Sequence, residues 1–105
     1  MDGAWHRVCA VGDVQIDDLC GVEVGGRRLV VVRLGDGHRA LDATCTHGKA
    51  DLAEGFVIDG ELECPKHNGR FAVTTGEPLT RPVTVGLQTY PCRVTDGVVE
   101  VLLPA

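Results

Sequence analysis

Hydrophobic and polar positions alternate over short distances in this chain. From Tyr90 to Thr95, apolar Tyr90, Cys92 and Val94 alternate with Pro91, Arg93 and Thr95. That two-residue period is the mark of a strand with one buried face. Leu29 to Leu34 is nearly all Val and Leu, a β-rich run. Phe56–Ile58 and Glu61–Glu63 flank Asp59-Gly60 as the arms of a hairpin, and Val98–Leu103 reads as a closing strand. Gly25-Gly26, Asp36-Gly37 and Asp96-Gly97 separate other short apolar runs. Such dipeptides favour the positive φ angles of tight hairpin turns. Nothing carries the period of a long amphipathic helix. Many short strands with frequent turns predict an all-β chain, an antiparallel sandwich or barrel.

Composition narrows this further. A chain of 105 residues and 11.1 kDa has room for one domain. With 44 % hydrophobic residues it can build a modest core. Its 14 Gly show no repeat period, so they mark turns rather than a fibrous chain. No apolar run approaches the roughly 18–20 residues of a membrane helix. The start, Met-Asp-Gly-Ala-Trp-His-Arg, has no secretory apolar stretch, and a cytoplasmic location is expected. A net charge of −5 argues against nucleic acid and against an anionic membrane surface. Five Cys in such a chain are expected as reduced thiols, buried or metal-bound.

Residues 43–82 differ in texture, with three of the five Pro and two of the four His. They read as an insert on a β base made of residues 1–42 and 83–105. Within the insert, Cys45-Thr46-His47 is followed sixteen residues later by Cys64-Pro65-Lys66-His67. Thiolate and imidazole suit zinc, copper and iron–sulfur centres. A structural zinc knuckle brings two Cys together and its His later. Here each pair mixes one Cys with one His, which makes sense if two metal ions lie between two loops. A [2Fe–2S] cluster with two thiolates on one iron and two imidazoles on the other fits that order. A mononuclear Cys₂His₂ zinc site, in a structural or interaction module, is the alternative.

These pairs, with Gly48 after the first and Asn68-Gly69-Arg70-Phe71 after the second, resemble those of Rieske-type ferredoxins. The similarity is to the small ferredoxin component of bacterial aromatic-ring-hydroxylating dioxygenase systems. Thr74-Thr75-Gly76, Pro82-Val83, the opening Trp5-His6-Arg7-Val8-Cys9 and the closing strand fit as well, so it covers nearly the whole chain. The resemblance implies a Rieske fold, with a small β cluster-binding subdomain inserted in the β base. It implies one [2Fe–2S] cluster, with Cys45 and Cys64 on the inner iron and His47 and His67 on the outer, reducible one. It implies a one-electron carrier without catalysis of its own, expected as a monomer. The partners would be a flavin-containing, NAD(P)H-dependent ferredoxin reductase and a terminal oxygenase. A Rieske-type small subunit of another redox enzyme, such as nitrite reductase, is the second reading.

Departures from the family carry information too. High-potential respiratory members join an extra Cys of each loop in a disulfide; Ala50 and Lys66 stand there. Those members also place hydroxyls where Gly69 and Phe71 stand. Fewer hydrogen bonds to sulfur imply a potential near the low end of the Rieske range, on the order of −150 mV. Gly48 and Gly69 are expected to permit the turns that aim N–H groups at sulfur. Pro65 is expected to stiffen the second loop, Pro82 to lie on a shielding third loop, and Leu52 and Phe71 to cover the site. Lys49, Lys66 and Arg70, with no acid in the two loop segments, predict a basic tip. Elsewhere, Cys9, Cys20 and Cys92 read as small buried or half-buried hydrophobes and Trp5 as a core anchor. Arg27-Arg28 reads as a solvated hairpin edge, His6 and His38 as exposed, and Asp13, Asp17 and Asp18 as a polar loop.

Overall fold

A computed structural model describes residues 3–66 and 68–104. Among these residues, ten strands form three antiparallel sheets. The first sheet holds β1 (Gly3–Ala10), β10 (Val98–Pro104) and β9 (Cys92–Thr95), in that order. The second holds β2 (Asp18–Val24), β3 (Arg27–Leu34), β4 (Gly37–Asp42) and β8 (Thr89–Tyr90). The third is small: β5 (Phe56–Ile58), β6 (Glu61–Glu63) and β7 (Arg70–Ala72). Two short 3₁₀ turns, Val11–Asp13 and Leu52–Glu54, are the helical segments among the described residues. None is long and apolar enough to cross a membrane.

The hairpins follow the turn chemistry. Gly25 and Gly26, Asp59 and Gly60, and Asp96 and Gly97 all take positive φ. The β3–β4 turn falls one residue earlier than its Asp36-Gly37 pair suggests. Leu34 pairs with Gly37, leaving Gly35-Asp36 as the loop.

Two apolar cores lie on opposite faces of the second sheet. On one face, Leu29 and Ala40 meet Val101 and Leu103 of the first sheet. On the other, Val30, Val32 and Leu41 meet Leu62 and Phe71 of the small sheet. This explains why the Leu29–Val32 run does not alternate. A central strand covered on both faces has no polar side to present, and all four residues are fully buried.

The alternating stretch Tyr90–Thr95 is divided between sheets. Tyr90 pairs with β4, whereas Cys92–Thr95 pair with β10. Pro91, lacking an N–H, makes the corner, and its carbonyl accepts from the Leu102 N–H at 3.0 Å. Trp5 is no core anchor. It pairs with Leu102, whose neighbours Val101 and Leu103 are the inward residues, so the indole faces outward and half-buried. The Arg93 guanidinium covers it, 4.1 Å from the ring centroid.

The two hairpin arginines are exposed, as expected, and both are also bonded. Arg27 donates to the Tyr90 hydroxyl, which itself donates to Asp42, and Arg28 pairs with Asp51 at 2.9 Å. His6 and His38 are half-buried rather than exposed, and His38 Nε2 is buried without a hydrogen-bond partner among the described residues. Its pKa is lowered, first by burial and then by the nearby Arg33 charge. Asp13, Asp17 and Asp18 are exposed, as expected, with Asp13 ending the Val11–Asp13 turn and Asp18 opening β2.

Candidate functional site

The first mixed pair sits on a loop that leaves β4 and returns to the Leu52–Glu54 turn. An isolated bridge between Thr44 and Asp51 closes its neck. Within it, the Cys45 N–H donates to the Ala50 carbonyl at 2.9 Å and the Lys49 N–H to the Cys45 carbonyl at 3.2 Å. The second pair sits between β6 and β7, and the bonds repeat. There the Cys64 N–H donates to the Gly69 carbonyl at 2.8 Å and the Asn68 N–H to the Cys64 carbonyl at 3.1 Å. The fifth residue of each loop is left-handed, Lys49 at φ 59 and Asn68 at φ 60. The loops were expected to turn on Gly48 and Gly69. The positive φ falls instead one residue after Gly48 and one before Gly69.

Cys45 and Cys64 are brought together. Each is 2 % exposed, and both belong to the core that holds Leu52, Phe71 and Val83. Their thiols are hydrogen-bond partners, and the N–H groups of His47 and Gly48 point at the Cys45 sulfur. Burial pushes the Cys45 thiol up and its neighbour Cys64 adds to that, while the two N–H groups pull it down. His47 lies at the surface. The fourth predicted residue, His67, lies outside the described residues. Among the described residues, no three His, Cys, Asp or Glu side chains converge as a set; the two thiols are what meets.

The donors present suit an iron–sulfur centre. Two buried sulfurs face each other in an apolar wall, and backbone N–H groups are already aimed at one of them. Such N–H groups stabilise negative charge on thiolate sulfur.

A third segment, between β7 and β8, closes over both loops. The Thr46 hydroxyl donates to the Val85 carbonyl at 2.6 Å. The Arg70 N–H donates to the Thr80 hydroxyl, and the Leu79 N–H to the Arg70 carbonyl. Val83, 4 % exposed, rests directly on Gly69: a Cβ there would lie 2.7 Å from Val83 Cγ1. Pro82 is in this segment, as expected, after a cis peptide bond. Leu52 and Phe71 are fully buried beside the two Cys, also as expected.

The basic tip is smaller than the sequence suggested. Arg70 does not reach outward; Glu63 takes its Nε at 2.9 Å and Glu61 its Nη1 at 3.3 Å across the small sheet. Lys49 and Lys66 stay exposed, and Lys66 shares a groove with Asp51 and Glu54. Sequence reasoning did not find the Thr46–Val85 tie or the seat of Val83 on Gly69. Both join residues distant in sequence, and no local pattern marks them.

Comparison with known proteins follows the same line. Residues 4–91 match the family described as Rieske [2Fe-2S] domain. The chain is 39 % identical to the anthranilate 1,2-dioxygenase ferredoxin subunit of Burkholderia cepacia, covering 92 % of this chain and 90 % of that one. It is also 39 % identical to the ferredoxin component of the naphthalene 1,2-dioxygenase system of Pseudomonas putida, covering 91 % and 92 %. Among solved structures it superposes on a chain from a complex of reduced oxygenase and oxidized ferredoxin in carbazole 1,9a-dioxygenase. That match has a TM-score of 0.86 and 43 % identity, over 92 % of this chain and 91 % of the other.

Proposed function

Because the chain belongs to the Rieske [2Fe-2S] family, we propose that Cys45 and Cys64 hold one iron of a [2Fe–2S] cluster and that His47 and His67 hold the other. The chain is then a cytoplasmic one-electron carrier. It takes electrons from a flavin-containing, NAD(P)H-dependent reductase and delivers them to the terminal oxygenase of an aromatic-ring-hydroxylating system. The observation that carries this reading is the buried Cys45–Cys64 thiol pair, held by two loops with the same backbone bonds.

When bound, the cluster supplies one reversible electron. The chain's own residues do the rest. Leu52, Phe71 and Val83 keep water from the sulfurs, and the His47 and Gly48 N–H groups favour negative charge there. Surface-lying His47 marks the side on which a partner can approach, with exposed Lys49 two residues on and exposed Val85 tied to neighbouring Thr46. No hydroxyl is offered at Gly69 or Phe71, which supports a potential on the order of −150 mV, suited to reduction by a nicotinamide-fed flavin. Residues 43–82, with the small sheet, serve as the cluster-binding part of a single domain.

Visible and EPR spectra before and after dithionite, with iron and sulfide assays, test the reading. Two iron and two sulfide per chain, with a Rieske-type EPR signal on reduction, are expected. Cys64→Ser should abolish both. One zinc per chain with no visible absorption would overturn the assignment.

A further inference from the structure

A second pair of cysteines meets far from the first. Cys9 lies on β1 and Cys20 on β2, the outer strands of the first and second sheets on the side where these strands touch. Directly paired residues share a face of a sheet. Cys9 pairs with Val99 and Cys20 with Val31, and both valines are fully buried. The two cysteines therefore point into the same space between the sheets, from edges that no further strand covers among the described residues. Their thiols are hydrogen-bond partners, Cys9 donating to the Cys20 sulfur. Both are reduced and half-buried, so small solutes have access from the edge.

We propose that Cys9 and Cys20 are a reversible redox pair, closed by a hydroperoxide into a disulfide that ties the edges of the two sheets together. The step balances with hydrogen peroxide as oxidant. The Cys20 sulfur, having lost its proton, attacks one peroxide oxygen; the O–O bond breaks and the leaving hydroxide takes up that proton as water. Cys9 sulfur then attacks the sulfenic sulfur of Cys20. The S–S bond forms, the S–O bond breaks, and the Cys9 proton leaves with that oxygen as a second water. Two thiols lose two electrons and one peroxide gains them.

Cys20 is the attacking sulfur because it accepts the hydrogen bond. Burial pushes Cys9 up to about 12, and Cys20 and Asp13 act in the same direction. Burial also raises Cys20, as do Asp13 and Asp18, but the bond from Cys9 offsets part of this. Thiolate is scarce at neutral pH, so closure is slow there and faster in alkali. Cys92 lies on the same inward face, opposite Val101, but on β9 with β10 between it and β1, and it acts on Cys9 through charge alone, as the smallest of the causes, without a hydrogen bond. The metal-site cysteines belong to the core on the other face of the second sheet. Closure should therefore leave that centre intact.

The test is peroxide titration of the metal-loaded protein, with free thiols blocked before digestion on the N-terminal side of Asp. Cleavage before Asp13 and Asp17 separates the two cysteines unless they are bonded. A Cys9–Cys20 linked peptide is expected, abolished by dithiothreitol, with visible absorption retained. The thermal midpoint should rise by several degrees, since the bond closes residues 10–19 into a loop. Cys92→Ser should link as the parent does. In Cys9→Ser, a sulfenic acid on Cys20 should be trapped by dimedone. Mapping the unmodified chain suffices if that variant does not fold. Cys9 and Cys20 recovered as blocked thiols, a link to Cys92, or bleaching of the centre before any link forms would each overturn the proposal.

Discussion

The two loops carrying the Cys–His pairs share one backbone and are held in it by different means. In each, the Cys N–H reaches a carbonyl five residues on, and its carbonyl receives an N–H from the fourth. In each, that fourth residue beyond the Cys is left-handed. Yet the closing residue is Ala50 in the first loop and Gly69 in the second. The cover meets the first loop through a side-chain hydrogen bond, Thr46 to Val85, and the second through the packing of Val83 on Gly69, with Leu79 and Thr80 bonded to Arg70 just beyond it. The turn itself is thus a backbone property that several side chains tolerate. What each loop demands of its side chains is set by what lies on top of it.

The largest expected effect comes from exchanging the closing residues. In Gly69→Ala the new methyl would lie 2.7 Å from Val83 Cγ1. Both are buried, so the third segment must shift, at a cost of about 1–3 kcal/mol. Ala50→Gly meets no such constraint and should cost less than about 1 kcal/mol. Chemical denaturation of the two variants measures the difference. Val83→Ala added to Gly69→Ala should recover much of the loss, and equal costs at positions 50 and 69 would refute this account.

The asymmetry also shows what could be read without a structure. The strands were legible because three of the four Gly-Gly and Asp-Gly pairs sit in the turns they mark, and because Phe56–Ile58 and Glu61–Glu63 directly flank one of them. The Cys–His pairs were legible because Cys and His recur at tight spacing. The roles of glycines were not. Gly69 looked like a turn residue, yet its missing Cβ makes room for a valine fourteen residues on. Arg70 looked like part of a basic tip because Glu61 and Glu63 are nearby only across a sheet register. Trp5 looked like core because hydrophobicity does not tell which face a strand residue takes; its pairing with Leu102 does. In each case the missing information was a contact between distant segments.

A smaller effect should come from the left-handed positions. Asn accepts positive φ more readily than Lys, whose longer side chain gains nothing locally. Lys49→Asn should stabilise the first loop, and Asn68→Lys should destabilise the second, each by about 0.5–1 kcal/mol. Opposite shifts in the denaturation midpoint are the expected result. Shifts of the same sign would mean that side-chain charge, not backbone conformation, dominates at these sites.

The smallest effect distinguishes how the loops are anchored. The second loop continues into Arg70, bound to Glu61 and Glu63 within the small sheet. The first is fastened to β3 through Asp51, which accepts from the Ala53 N–H at 3.0 Å and pairs with Arg28 at 2.9 Å. Burial alone would raise the Asp51 carboxyl. The Ala53 N–H and the Arg28 guanidinium outweigh it and hold the group below its ordinary 3.8. A carboxyl depressed in the folded state adds stability above its ordinary value, and that stability is lost as pH falls through the folded value. The contribution should stay below about 1 kcal/mol, because Arg28 and Asp51 are 40 % and 34 % exposed. On acidification below about pH 4, protection against hydrogen exchange, taken relative to the intrinsic rate at each pH, should therefore be lost at the Ala53 and Leu52 amides before the Cys64 amide. In Asp51→Asn that early phase should vanish, because no carboxyl remains to titrate. If both loops open together in the parent chain, Asp51 is not what fastens the first.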